Sequence, residues 1–279
     1  MDAALTDEWV RVGYCRLRSV FDQLPGWVLF VGTVIVFAVA AEIGIRLARW
    51  RRKKPADDDR KSHSSVLLAA ILALLGLSLA FSFSMAETRF AERRALVLEE
   101  ANAIGTTYLR ATLLPEPHSR EARELLRQYV DIRDVPTPEA LAGAMERSQP
   151  LHNELWAVAV AASEEQPDPM TALFVQSLNQ LIDLHEDRTT VILHQRLPGA
   201  ILLTLYLVAL LAMGTLGYSV GLTRTRPILP SLAVIAAVAI VLLLIVELDR
   251  PFERVFEVDQ AALDDVRETV SRSEAVQRY

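Results

Sequence analysis

The chain has 279 residues, 52% of them hydrophobic and 23% charged, with a formal net charge of −6 and a single cysteine, Cys15. Its apolar residues are gathered in blocks, which excludes an ordinary soluble domain. The acidic balance argues against a nucleic-acid partner, and one thiol cannot form an intrachain disulfide, so any part outside a membrane must be held by packing alone.

Residues 1–24 place Val10, Tyr14, Leu17, Phe21 and Leu24 on one side of an amphipathic helix with Arg11 and Arg18 elsewhere, a pattern that lies along a membrane interface. Crossing the hydrocarbon takes about 20 helical residues. Four stretches reach that length: Pro25 to Ile45, Ser64 to Ala86, Pro198 to Leu222 and Ile228 to Leu248, with Glu42 and Glu247 their only charges. They pair into transmembrane hairpins over 25–86 and 198–250. The first run starts well into the chain and meets no small-residue cleavage site before Arg46, so it reads as a retained span and not a signal peptide. Each hairpin opens on Leu-Pro-Gly, at Leu24 to Gly26 and Leu197 to Gly199. Proline is tolerated in a helix's first turn, where its missing N–H would be unpaired anyway. The shared tripeptide is read first as a helix break at the membrane surface, and secondly as the trace of an approximate repeat of two hairpins.

The link between spans 1 and 2 holds Arg46, Arg49, Arg51, Arg52, Lys53, Lys54, Arg60 and Lys61, and every lysine of the chain lies there. Short basic loops stay cytoplasmic. That puts the short link carrying Arg224 and Arg226 inside as well, with the central region and both termini outside, periplasmic if the membrane is a bacterial inner membrane.

The region 87–197 reads as helical throughout. Span 2 continues into it without a breaker, and Phe83, Phe90, Val97 and Ile104 recur every seven residues, predicting a seam on one face. Pro115-Glu116-Pro117 ends that helix. Ser119 is positioned to cap a second one with Ala122, Leu125, Leu126, Tyr129 and Ile132 on one side, ending at Asp134-Val135-Pro136. Thr137 and Pro138 start a third, with Leu141, Met145, Ser148, His152, Leu155, Ala159 and Ala162 at helical spacing. Pro167-Asp168-Pro169 then opens a fourth, Met170 to Leu197, expected to run on into span 3. These four make an up-and-down bundle continuous with spans 2 and 3. The tail, 251–279, carries Phe252, Val255, Phe256, Leu263, Val266 and Val270, enough apolar residues to dock on that bundle. The predicted architecture is an all-α polytopic membrane protein with four transmembrane helices and a helical-bundle domain inserted between spans 2 and 3.

Catalytic chemistry is not legible: no glycine-rich phosphate loop, no His-Glu-x-x-His and no cysteine cluster occur, and Cys15 has no nearby histidine. No catalytic residue, metal or cofactor is assigned, and the chain is not read as an enzyme. Asp187 and His194 share a face near His185 and Glu186, but a metal needs more converging ligands, so this is read as a solvated helix face. Glu99, Glu100 and Asn102 are read the same way, as a surface carboxylate pair beside a polar core contact.

The spans are more informative. Ala69, Ala73, Gly76, Ala80 and Ser84 form a stripe of small residues on span 2, and Gly217 and Gly221 do so on span 3. Such stripes let helix backbones approach closely, within a subunit or between subunits. Ser78, Phe81, Ser82 and Met85 form another surface of span 2, part hydroxyl and part apolar. Serine bonding back to the helix and phenylalanine meeting lipid would explain it; the alternative is a pore constriction, with Arg89, Arg93 and Arg94 around its mouth favouring anions. Glu42 and Arg46, four apart, are expected to pair within the helix.

The stretch "LLGLSLAFSFSMAETRFAERRALVLEEANAIGTTYLR" resembles the second membrane helix and following segment of the bestrophin channels and, more closely, a bestrophin-like family of bacterial four-span proteins; "LDRPF" after span 4 is similar to that family's ending. The resemblance implies that Phe81 and Phe83 fall where bestrophins place neck aromatics, and that Arg89-Phe90-x-Glu92-Arg93 falls where they carry an arginine and aromatic pair. Bestrophins are pentameric anion channels, so it also implies an oligomer with the second helices around an axis. Two departures stand out: bestrophins keep the region between spans 2 and 3 in the cytoplasm, and the calcium clasp of the eukaryotic members has no match here. Two functions follow as expectations. One is a homo-oligomeric channel for inorganic ions, with anions the favoured class; the other is a non-conducting sensor or scaffold that acts through a partner. Both act in the lipid bilayer.

Overall fold

The computed structural model describes residues 24–50, 58–133, 138–194, 196–223, 228–250 and 262–268; the amphipathic segment 1–23 and most of the tail lie outside them. Among the described residues seven helices carry the fold: α1 (Gly26–Trp50), α2 (Asp58–Ala111), α3 (His118–Arg133), α4 (Pro138–Glu165), α5 (Pro169–His194), α6 (Gly199–Leu222) and α7 (Ile228–Asp249). A short helical segment covers 262–268, and no strand occurs among the described residues. The protein is all-α, and α1, α6, α7 and part of α2 are long and apolar enough to cross a membrane. The 54 residues of α2 span about 81 Å at 1.5 Å each, against about 30 Å of hydrocarbon. Its apolar part, 64–86, is by itself long enough to cross.

Two compact units result, one from Met1–Thr88 and Leu197–Arg250, the other from Arg89–Arg196 and Pro251–Tyr279. In the first, α1 and α6 lie side by side and parallel. Close approach of their backbones depends on glycine: a Cβ on Gly217 would land on the Ala41 carbonyl oxygen, one on Gly44 on the Gly214 carbonyl oxygen, and one on Gly221 2.7 Å from the Ala48 Cβ. Thr33 and Tyr206 pair their hydroxyls at 3.2 Å, and the Ser64 and Ser219 hydroxyls hydrogen-bond each other.

Both Leu-Pro-Gly tripeptides meet the end of α7. Arg250 Nη2 donates to the Leu24 carbonyl at 3.1 Å, and the Leu197 N–H donates to Asp249 Oδ1 at 2.6 Å. Arg250 Nη1 donates to Glu247 Oε1 at 2.8 Å, and that carboxylate occupies the space a side chain on Gly26 would need. One Glu-Leu-Asp-Arg segment therefore fixes the starts of α1 and α6 at the same end of this unit, and buries three charged groups only because each is paired.

In the second unit the distal half of α2 packs with α3, α4 and α5 around Ile104, Tyr129, Leu155, Phe174 and Leu178, all fully buried, and Leu263 joins that core with Val266 against it. Asp168 Oδ1 accepts the Met170 N–H at 3.2 Å, capping α5. Three expectations need correction. The seam of α2 runs through Leu75, Leu79, Ser82, Ala86, Arg93, Val97, Glu100 and Ile104, at the steps of three and four that keep one face inward; Val97 and Ile104 belong to it, whereas Phe83 stays 38% exposed. Ser119 does not cap α3, which starts one residue earlier, and is itself buried. And α5 does not feed span 3, because it ends at His194 and the chain re-enters a helix only at Gly199, after Pro198; proline disfavours helical geometry in the residue before it.

Candidate functional site

Two groups of residues carry functional possibilities: the outward face of span 2, and a set of buried polar side chains in the second unit. On span 2, Leu75, Leu79, Ser82 and Ala86 turn inward, and this determines what the other faces show. Ala69, Ala73, Gly76, Ala80 and Ser84 are all exposed, and a Cβ on Gly76 would meet nothing within 4 Å. Among the described residues nothing packs on the small-residue stripe, in contrast to Gly217 and Gly221. Phe81 is 64% and Met85 39% exposed. Ser78 is half-buried, and its hydroxyl donates to the Leu74 carbonyl at 2.8 Å, so it offers little dipole to a neighbour. Ser82 is buried, a turn of about 100° round the helix from the exposed Phe81. Of the three arginines beyond, Arg94 is exposed, Arg89 half-buried and Arg93 buried. Glu42 and Arg46 pair as the sequence predicts, at 3.0 Å on the exposed side of α1.

The second group was not legible as a site. Glu100, on the part of α2 that belongs to the second unit, is fully buried. Arg133 from α3 donates through Nη2 to Glu100 Oε2 at 2.9 Å, and its Nε lies 2.7 Å from Oε1. Arg188 from α5 donates through Nη1 to the same Oε2 at 2.6 Å. Tyr129 donates its hydroxyl to Glu100 Oε1 at 2.8 Å, and His185 Nδ1 sits 3.4 Å from the Tyr129 oxygen. With the tyrosine proton committed to Glu100, His185 Nδ1–H must be the donor in that contact. The His152 ring lies edge-on to His185 at 4.8 Å between centroids and 5.1 Å from Tyr129, and the Arg133 guanidinium stands 5.7 Å over the Tyr129 ring. The expected surface pair is thus reversed, with Glu100 inside and Asn102 exposed, and His185 is buried and not on a solvated face. The side chain of His194 lies outside what is described.

This arrangement sets the protonation states. Burial alone would raise the Glu100 carboxyl, but Arg133 and Arg188 override it and hold it at about 2. Burial and the Glu100 charge push the Tyr129 hydroxyl well above its ordinary 10. Burial, with Arg133 close by, brings His152 down to about 4, and the same causes plus His152 bring His185 to about 4. At neutral pH the group is an ionised carboxylate, two guanidiniums, a neutral phenol and two neutral imidazoles. No cluster of three or more metal-ligating side chains occurs among the described residues.

The comparisons give these helices a family. A model of the bestrophin-like domain matches residues 29–263. The chain belongs to the bestrophin-like family. No curated protein matches it, but solved structures share its fold. A bacterial bestrophin homologue from Klebsiella pneumoniae, solved by zinc phasing, superposes with a TM-score of 0.56 at 17% identity, covering 88% of this chain and 95% of that one. Two variants of a homologue from the same organism give TM-scores of 0.61 at 16% identity, covering 88% and 98% of the two chains, and 0.60 at 17%, covering 90% and 97%. The bestrophin-like fold thus accounts for nearly the whole chain, both units included.

Proposed function

We propose that this bestrophin-like protein is a homo-oligomeric ion channel with span 2 around its axis and anions as the favoured class. The observation that carries this reading is the uncovered stripe Ala69, Ala73, Gly76, Ala80 and Ser84. Small residues at that spacing allow backbones to approach closely, nothing among the described residues covers them, and a second copy of span 2 is the partner of matching shape. Phe81 and Met85 then stand next to the contact as the apolar constriction, with Ser78 above them, and Arg94 is the exposed charge beyond, with Arg89 partly exposed. Fixed positive charge at a narrow mouth concentrates anions. Ser82 and Arg93 turn inward and act as packing groups in this reading. The lysine-bearing link holds the cytoplasmic side of an inner membrane, and the bundle lies on the other side.

The test is flux from liposomes carrying the purified protein. Halide efflux is expected from the unaltered chain, and Phe81→Ala is expected to change it, by loss or by conversion to a leak. Efflux equal to that of empty liposomes in both proteins contradicts the channel. In that case recovery of a cytoplasmic partner crosslinked to Lys53 or Lys54 would favour a scaffold.

A further inference from the structure

We propose that the interior of the second unit binds a small inorganic anion of chloride size beside Glu100, held by the free N–H groups of Arg133 and Arg188. Arg133 is 1% exposed and Arg188 4%, and both converge on the single Glu100 carboxylate; among the described residues of this unit no other carboxylate is buried. The group carries one positive charge more than it neutralises, and two guanidiniums meet at one oxygen. Nothing else in it supplies the missing negative charge. Tyr129 keeps its proton, and His152 and His185 could only add positive charge.

Donors count the same way. Among the described residues Arg133 Nη1 and Arg188 Nε have no hydrogen-bond partner although both are buried, and Thr189 Oγ1, the next residue along α5, is in the same position. A buried guanidinium edge without an acceptor is costly. Water could receive those N–H groups but would leave the excess charge uncompensated, whereas one anion answers both deficits. Because Glu100, Arg133, Arg188, His152 and His185 are each no more than 6% exposed within a single chain, no partner subunit, peptide or lipid headgroup reaches them, which restricts the occupant to a compact ion. This site belongs to the second unit and the span-2 face to the first, and its occupation does not depend on whether the protein conducts.

The test uses the full chain in detergent at constant ionic strength, with sodium chloride or bromide exchanged for sodium gluconate, whose anion is too large to be enclosed. At a halide concentration tenfold over its dissociation constant, thermal unfolding is expected to shift upward by about 3–6 °C. In Arg188→Gln, which leaves a charge-balanced Arg133–Glu100 pair, the halide dependence is expected to vanish. Crystals of the unaltered chain grown in bromide are expected to show an anomalous peak within hydrogen-bond reach of both arginines, a readout that stands even if the variant does not fold. Equal unfolding temperatures in chloride and gluconate, a halide shift that survives in Arg188→Gln, or no bromide peak beside Glu100 would each overturn the proposal.

Discussion

Lowering the pH from 7 to 4 is expected to loosen the helical bundle in a window set by two histidines. His152 and His185 are held neutral down to about 4 in the folded protein, whereas an unfolded imidazole titrates near 6.5. Below 6.5 the unfolded chain therefore binds protons that the folded chain refuses. The stability these groups contribute is complete above about 6.5, falls as the pH drops, and is gone by about 4. For one imidazole treated alone the difference is worth about 3 kcal/mol; the two rings touch, so their effects are not additive. Glu100 acts in a separate window. Its folded value near 2 means its contribution is present above an ordinary carboxylate's range and is lost only as the pH falls from about 4.5 toward 2. The assay is thermal or urea unfolding of the detergent-solubilised chain at closely spaced pH values, for the unaltered protein and for His152→Phe and His185→Phe, which keep a ring of similar size. Each variant is expected to flatten the fall between pH 6.5 and 4 and leave the lower window in place. If the unaltered protein and both variants show the same slope between those limits, the buried neutral pair is not what the geometry indicates.

Glu100→Gln removes the carboxylate charge that Arg133 and Arg188 share and is expected to cost about 3–5 kcal/mol, measured by urea unfolding; Glu100→Leu with Arg133→Met and Arg188→Met is expected to recover most of it, as apolar replacements of buried ion groups do. Gly217→Val is expected to destabilise the membrane unit by about 1–3 kcal/mol or more, since the added carbons meet the Ala41 backbone. Gly32→Ala, which meets nothing within 4 Å, is expected to be neutral within about 1 kcal/mol; comparing their unfolding temperatures checks both. A Cβ added at Gly76 meets nothing within 4 Å, and Gly76→Trp is expected to leave the monomer folded while dispersing the oligomer on size-exclusion chromatography with light scattering. A reporter fused near Gln128 is expected to register the periplasm, and a cytoplasmic signal would reverse the sidedness drawn from the lysines.

Much of this fold is legible because a bilayer imposes a length and a composition: four apolar runs, a basic link, and proline pairs where bundle helices begin and end. The second Leu-Pro-Gly carried more information than the periodic pattern around it. Carrying the helix from Met170 through to Leu197 gave periodicity precedence over a proline that disfavours helix in the residue before it, and residues 196–198 in fact lie outside any helix. The roles of the two tripeptides were hidden for another reason: Leu24 and Leu197 are bound by Arg250 and Asp249, which are distant in sequence.

The buried polar group was harder to find. Glu100 meets Arg133 and Arg188 across 33 and 88 residues, and by composition a glutamate beside Glu99 looks like any solvated carboxylate. A signal was nonetheless present, because Glu100 falls at the inward step between Val97 and Ile104, and His152 sits in the apolar periodicity of α4. A carboxylate at an inward position of a helix calls for a partner. Sequence could not name that partner, nor tell that Ser82 is buried while Phe81 is exposed, because that requires the phase of the helix against its neighbours.

The arrangement of subunits bears most directly on the reading of this bestrophin-like protein as a channel. Electron microscopy of the purified chain in lipid nanodiscs is expected to show a closed ring with the second spans around the axis, Gly76 and Ala80 at the subunit contact, and Phe81 toward the centre. A monomer, or an assembly in which span 2 faces lipid around its perimeter, would contradict it.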